Sequence, residues 1–330
     1  MRVTATLLLL AFGLAPGDMA RADHCCGGGG FCPMPRLTLI VGAPPGGELD
    51  ASARLLGEGL ARATGKPVII ENRPGLAGLL AATEVARLPS ERHGCSFLVT
   101  RKSTVVITRL AREGSTIDPV RDLLPMVEFA EAPSVLLTHP GAGFRSLDDL
   151  RRAAAQTQLS YASPGGGTHA HFAGSLLGSA IGGRPLVHIP YKGVQPAITD
   201  LIAGQVQLGW FGVASAMPHV QSGRLVPLVV TGTQRLPILP NVAHAAELRL
   251  PSVLSSDSFL LMAPVGPMSR HVPDVTNAVQ AVLSDAGVRQ RLEELSLRPA
   301  VRSGAEVRPR LEQEAREWEA HADRADIRLR

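Results

Sequence analysis

Three times along this chain a run of strand-forming residues breaks into glycine or proline and then restarts at helical spacing. The segments are LTLIVGAPPGGELD from Leu37 to Asp50, LSYASPGGGTHAH from Leu159 to His171 and LVHIPYKGVQPAI from Leu186 to Ile198. A strand that turns tightly into a helix leaves the first N–H groups of that helix unpaired, where an anion can accept them. Glycine lets backbone approach a ligand closely, and proline fixes the entry angle where its missing N–H costs nothing. The repeated device predicts a carboxylate-binding cleft built from main chain.

With 330 residues, 45% hydrophobic and 19% charged, the chain can form two domains with real cores and is too polar for an integral membrane protein. Its first stretch stands apart. Arg2 precedes the apolar run Ala5 to Leu14, then come Pro16, Gly17 and the small-residue site Ala20-Arg21-Ala22. That is the layout of a secretory signal peptide over residues 1–22, and the run is too short to span a bilayer. The mature chain is therefore expected in the periplasm. A net charge of +4 is scattered rather than clustered and aromatics are 4%, which argues against a nucleic-acid partner. Of the four cysteines, Cys25, Cys26 and Cys32 lie in HCCGGGGFC and Cys95 lies apart. An oxidising compartment would let Cys25 or Cys26 close onto Cys32, and the His-Cys-Cys cluster would suit a soft metal. The glycine run offers neither a rigid frame, so residues 23–35 are expected to be a flexible tail with no metal or cofactor.

Strand and helix signals then alternate. Leu37 to Val41 is a continuous apolar strand, and Leu49, Ala53, Leu56 and Leu60 recur at helical spacing until Gly65. Further strands are expected at Val68–Ile70, Phe97–Thr100, Val135–Thr138, Leu159–Ala162, Leu186–Ile189, Val206–Phe211, Leu225–Val230 and Phe259–Ala263, and the C-terminal part reads as mostly helix. The result is an α/β protein of two lobes. Residues 36–135 with 258–330 form lobe 1 and residues 136–257 form lobe 2, so the chain crosses twice and makes a hinge over a cleft.

These residues resemble the extracytoplasmic solute-binding proteins of tripartite tricarboxylate transporters, the TctC or Bug family, over nearly all of the mature chain. The matching motifs are Pro44-Pro45-Gly46-Gly47 with Asp50, Glu71-Asn72-Arg73-Pro74-Gly75-Leu76-Ala77-Gly78, Tyr161-Ala162-Ser163 through Gly165, Gly167, Thr168, His171 and Ala173-Gly174, and the PYKGxxPAxxDLxxGQV signature from Pro190 to Val206. The resemblance implies a type II periplasmic-binding-protein fold that closes over a small carboxylate or dicarboxylate and delivers it to the permease subunits of a membrane transporter, acting as a monomer. Its implied ligand-binding residues are Ala43, Gly46, Gly47 and Asp50 in the first turn, Ser163, Gly165, Gly167, Thr168 and His171 in the second, and Tyr191, Lys192 and Gly193 in the third. Lys192 and Arg73 would either add longer-range attraction or be solvated surface charge. The chain departs from the family pattern at Ala43, Glu48, Gly212 and Gly94-Cys95-Ser96. Glu48 either faces solvent or selects a ligand with an amine or with less charge.

Enzyme readings are weaker. His169-Ala170-His171 lacks nearby further ligands for a metal, so His171 is expected to hydrogen-bond within the second turn while His169 is partly exposed. Ser163 has no GxSxG elbow and no base assignable by spacing, and Gly59 to Lys66 fits a phosphate loop only loosely. No catalytic activity is expected. A ligand-sensing module for a membrane signalling partner is the alternative role, since it needs the same closure.

Overall fold

The computed structural model describes residues 32, 34–93, 95–110, 117–250, 256–325 and 327. The expected signal peptide, Cys25, Cys26 and Gly94 lie outside them. The elements are β1 (Leu37–Val41), α1 (Glu48–Thr64), β2 (Val68–Asn72), α2 (Leu79–Ala86), β3 (Ser96–Arg101), α3 (Lys102–Ile107), α4 (Pro119–Asp122), β4 (Leu123–Ala132), β5 (Ser134–Thr138), α5 (Leu147–Gln156), β6 (Ser160–Ser163), α6 (His169–Ile181), β7 (Val187–Pro190), α7 (Val194–Ile202), β8 (Leu208–Gly212), α8 (Val213–Gln221), β9 (Val226–Val230), β10 (Asp257–Pro264), α9 (Val272–Ser284), α10 (Ala286–Glu294), β11 (Arg298–Ser303) and α11 (Gly304–Arg324). They form two mixed sheets, one ordered β11-β4-β10-β3-β1-β2 and the other β7-β6-β8-β5-β9. Parallel pairing of β1 with β2 and β3, and of β6 with β7 and β8, puts each glycine turn at a strand's C-terminal end. In open α/β sheets that is the end where ligands bind.

Each sheet is covered on both faces, which is why its central strands are apolar without alternation. On one face of β1, Leu39 and Val41 pack with Leu49, Ala53 and Leu56 of α1 and with Val275 and Val279 of α9. Ile40 turns the other way, among Ala81, Ala82 and Val85 of α2. In the second sheet Leu137 and Ala162 meet Ala197, Ile198 and Leu201 of α7, while Tyr161, Leu208 and Trp210 meet Phe172 and Leu177 of α6. The long helix α11 belongs to this second core too. Its Trp318 lies edge-on to Phe172 at 5.3 Å, and Nε2 of His321 is 3.1 Å from the Ser175 hydroxyl.

The chain passes between sheets twice. β4 ends at Ala132 and β5 begins at Ser134 with only Pro133 between, and the return runs from the end of β9 to Asp257. The two crossings are tied side by side: Ser134 N–H donates to the Thr231 hydroxyl at 2.9 Å, and Thr231 N–H donates to Ser134 O at 2.8 Å.

Two strands and one crosslink differ from expectation. β4 and β11 escape the hydrophobic pattern because β4 carries Glu128 and Glu131 and β11 carries Arg298 and Arg302, which pair with each other across the ladder. A charge that is neutralised by a strand about 170 residues later leaves no local trace. Cys32 is not part of an inert tail: it is buried and disulfide-bonded to Cys95, 63 residues on. Closing a loop of that length restrains the unfolded chain by about 4 kcal/mol. Among the described residues, no helix is long and apolar enough to cross a membrane.

Candidate functional site

Between the sheets lies a cleft of about 490 Å³ lined by the starts of α1, α3, α6, α7 and α8 and by the Gly75–Gly78 segment. The first turn reaches it through Ala43, Pro44, Glu48 and Leu49, and the second through Pro164, Gly167, Thr168, His169 and Ala170. Of the expected site residues, Ala43, Gly167 and Thr168 line the cleft. Gly46, Gly47, Asp50, Ser163, Gly165, His171, Tyr191, Lys192 and Gly193 do not.

Most of these nine build the turns instead. Asp50 is buried and its carboxylate accepts from Gly46 N–H at 2.9 Å, from Arg54 and from Asn72, so the first turn folds around it. Burial alone would raise that carboxyl; Arg54, Gly46 N–H and Asn72 outweigh it and hold it at about 2. In the second turn Ser163 is fully buried, donating to Gly165 O at 2.9 Å and accepting from Gly165 N–H at 3.2 Å. Gly167 N–H donates to Nδ1 of His171 at 3.2 Å, the intra-turn role expected for that histidine. His171 stacks at 3.9 Å on His188, whose Nε2 is 2.6 Å from Ser163 Oγ. Burial, with His171 adding a smaller share, holds His188 down at about 4. Sequence spacing hid this serine–histidine contact, because His188 sits one strand away on β7. It offers no nucleophile, since a fully buried hydroxyl meets no substrate. In the third turn the Tyr191 hydroxyl donates to Asp200 at 2.9 Å, Gly193 N–H donates to Pro164 O at 3.0 Å, and Lys192 is exposed. Arg73 is engaged by Glu71 and Glu84.

The glycine N–H groups at 46, 165, 167 and 193 are therefore spent inside the protein. The open donors are one step further on. Among the described residues no protein acceptor takes the N–H of Glu48 and Leu49 at the start of α1, or of His169 and Ala170 at the start of α6, and all four residues line the cleft. A helix start concentrates partial positive charge at such groups. Thr168 caps α6 by accepting from His171 N–H at 3.4 Å and holds the turn by donating to Gly165 O at 2.8 Å. The close approach of β1 to α2 needs glycine on both sides: a Cβ on Gly42 would lie 3.3 Å from Gly78 Cα, and Gly78 itself has φ +94°.

A charged wall completes the cleft. Glu48 does not face solvent; it lines the cleft and pairs with Arg101, whose other guanidinium nitrogen lies 3.6 Å from Asp257. Arg101 also lies over the Phe259 ring, 4.9 Å from its centre. Asp257 accepts from Ser103 N–H at 3.0 Å, the Ser103 hydroxyl at 2.7 Å and Ser258 N–H at 2.9 Å. Burial would raise its carboxyl, but Arg101 and Lys102 together keep it below the usual range. Lys102 pairs with Glu314 of α11 at 2.9 Å. No motif signals Arg101 or Asp257, which come from β3 and β10. On the facing wall, Trp210 is 1% exposed and its Nε1–H has no acceptor, and Nε2 of His169 is buried without a partner. Burial lowers the His169 pKa, so its imidazole is neutral at pH 7.

The sequence profile described as "Tripartite tricarboxylate transporter family receptor" matches residues 52–321. The chain is 31% identical over 271 residues to the UPF0065 protein from the tcbD-tcbE intergenic region of Pseudomonas sp. (strain P51), covering 81% of this chain and 80% of that one. It is 28% identical to BugT of Bordetella pertussis, covering 87% and 88% respectively. Among solved structures, an R. palustris protein with adipate matches at TM-score 0.75 and 28% identity over 90% of this chain and 99% of that one. MatC from Rhodopseudomonas palustris with bound malate matches at TM-score 0.71 and 26% identity over 88% and 99%.

Proposed function

The chain belongs to the receptor family of the tripartite tricarboxylate transporters, which are periplasmic solute-binding proteins, and from that premise we propose that it captures a small carboxylate in the cleft and delivers it to the permease subunits of such a transporter. One observation carries the reading: unpaired N–H groups of α1 and α6 meet from the two sheets at one cleft. Fixed dipoles of this kind hold an anion without a buried counter-charge. The ligand bridges both walls, the hinge at Pro133 and Thr231 closes, and the closed face is what the permease meets. The glycine turns act as scaffolding for the donors beside them. The protein works as a monomer, reaches the periplasm by cleavage after Ala22 and needs no cofactor or catalytic group.

Support comes from the acid-bound relatives, adipate in one and malate in the other. A thermal-shift screen against mono- and dicarboxylates and amino acids tests the proposal. A true ligand at a hundred times its dissociation constant adds about 2.7 kcal/mol of stability. Small-angle scattering should then show a decrease in radius of gyration. Absence of a shift with every acid removes the receptor reading.

A further inference from the structure

The two walls of the cleft are chemically unlike. The wall from α6 and β8 offers an acceptor the open N–H of His169 and Ala170, and among the described residues that line it there is no carboxylate or guanidinium. The opposite wall has the open N–H of Glu48 and Leu49 too, but sets beside them the side chains of Glu48, Arg101 and Asp257, two carboxylates to one guanidinium, which leaves these three with one negative charge in excess. Arg101 is divided between both acids. Lys102, the next cation, is paired with Glu314. Among the described residues, no uncommitted cation on this wall awaits a second ligand carboxylate.

Glu48 also stands at a particular place. A Cβ built on Gly212, on the opposite sheet, would meet only the two Glu48 carboxylate oxygens, at 3.8 and 3.9 Å. The acid thus reaches over the cleft to within van der Waals contact of the point where a side chain at 212 would begin. Its Oε1 is the oxygen that accepts from Arg101.

We propose that the cleft is built for a zwitterion, with the ligand carboxylate on the open N–H groups of α6 and an ammonium group on Glu48, and that it disfavours dianions. The inference rests on the receptor reading and names its substrate class. A dicarboxylate of equal length would bring its second negative charge against Glu48 and Asp257. An ammonium group there restores the charge balance that Arg101 alone leaves incomplete.

The test is calorimetry with length-matched pairs, from β-alanine against malonate to 6-aminohexanoate against adipate, and α-amino acids against the corresponding acids lacking the amine. Wild-type protein should bind the better amine-bearing members at least tenfold tighter than their partners. Glu48→Gln, which keeps shape and removes charge, should erase or reverse that preference. Gly212→Asp in the Glu48→Gln background should restore it, because position 212 has φ −57° and a Cβ there meets nothing nearer than 3.8 Å. Circular dichroism confirms that each variant is folded. Tighter dianion binding by the wild type, or a preference unchanged in Glu48→Gln, overturns the inference and leaves the receptor reading intact. Equal tightening of both classes in Glu48→Gln also overturns it, marking Glu48 as an internal competitor for Arg101. If no acid of either class binds, both readings fall.

Discussion

The first and second turns use the same local device, a strand breaking through glycine into a helix, yet they support the cleft in opposite ways. The first is braced by charge: Asp50 gathers Gly46 N–H, Arg54 and Asn72, and Glu48 continues into Arg101 and Asp257. The second is braced by neutral groups, a serine, a threonine and two stacked imidazoles kept uncharged by burial. A helix start leaves the same donors open in both cases, so the backbone motif does not decide the potential of a wall. The side chains packed behind it do.

The most severe way to test that contrast is Arg101→Ala, which removes the stronger of the two cations acting on buried Asp257. We expect a loss of about 3 kcal/mol in denaturant unfolding, whereas Trp210→Phe on the neutral wall should cost under about 1 kcal/mol. Comparable losses would erase the distinction. Acid should separate the turns along the pH axis. The His188 pKa is depressed from 6.5 to about 4, so the stability linked to it is intact above pH 6.5 and is lost as pH falls toward 4, by about 3 kcal/mol at most. The Asp50 pKa is depressed from 3.8 to about 2, so its contribution of about 2 kcal/mol survives to pH 4 and disappears below it. Chemical denaturation at stepped pH should resolve the two phases, and His188→Gln should flatten only the upper one.

A smaller effect distinguishes glycines within the turns. Gly167 has φ +76° at the cleft edge, so Gly167→Val should weaken ligand binding by tenfold to a hundredfold, the equivalent of about 1–3 kcal/mol of strain. Gly47 has φ −82° and faces nothing nearer than 4.0 Å, so Gly47→Val should change affinity far less. The smallest expected change is Ala77→Gly. Ala77 lines the cleft at φ +52°, and relieving that left-handed conformation should raise the melting temperature by an amount worth at most about 1 kcal/mol. A drop instead would show that the alanine methyl, not the backbone, sets that part of the wall.

Much of the fold could be read directly. β1 and β3 announce themselves as apolar runs, α1 through Leu49, Ala53, Leu56 and Leu60, and the second turn through its glycines. β4 and β11 could not be read, because their glutamates and arginines become sheet residues only when paired with each other. In the site, the turns were legible and their donors were displaced by one or two residues. Sequence motifs mark glycines, but Asp50, Ser163 Oγ and His171 consume those glycine amides, and that consumption depends on side-chain rotamers and on packing.

Order along the chain was enough to determine that helices begin at the ends of parallel strands, since glycine, proline and hydrophobic period act over a few residues. Only the tertiary structure decided which amides stay open, that Cys95 is the partner of Cys32, and that Glu48 turns inward to Arg101. Each of these depends on groups far apart in sequence meeting within a few ångströms. Electrostatic and hydrogen-bond energies are set by that distance and by burial, neither of which is written locally in the chain.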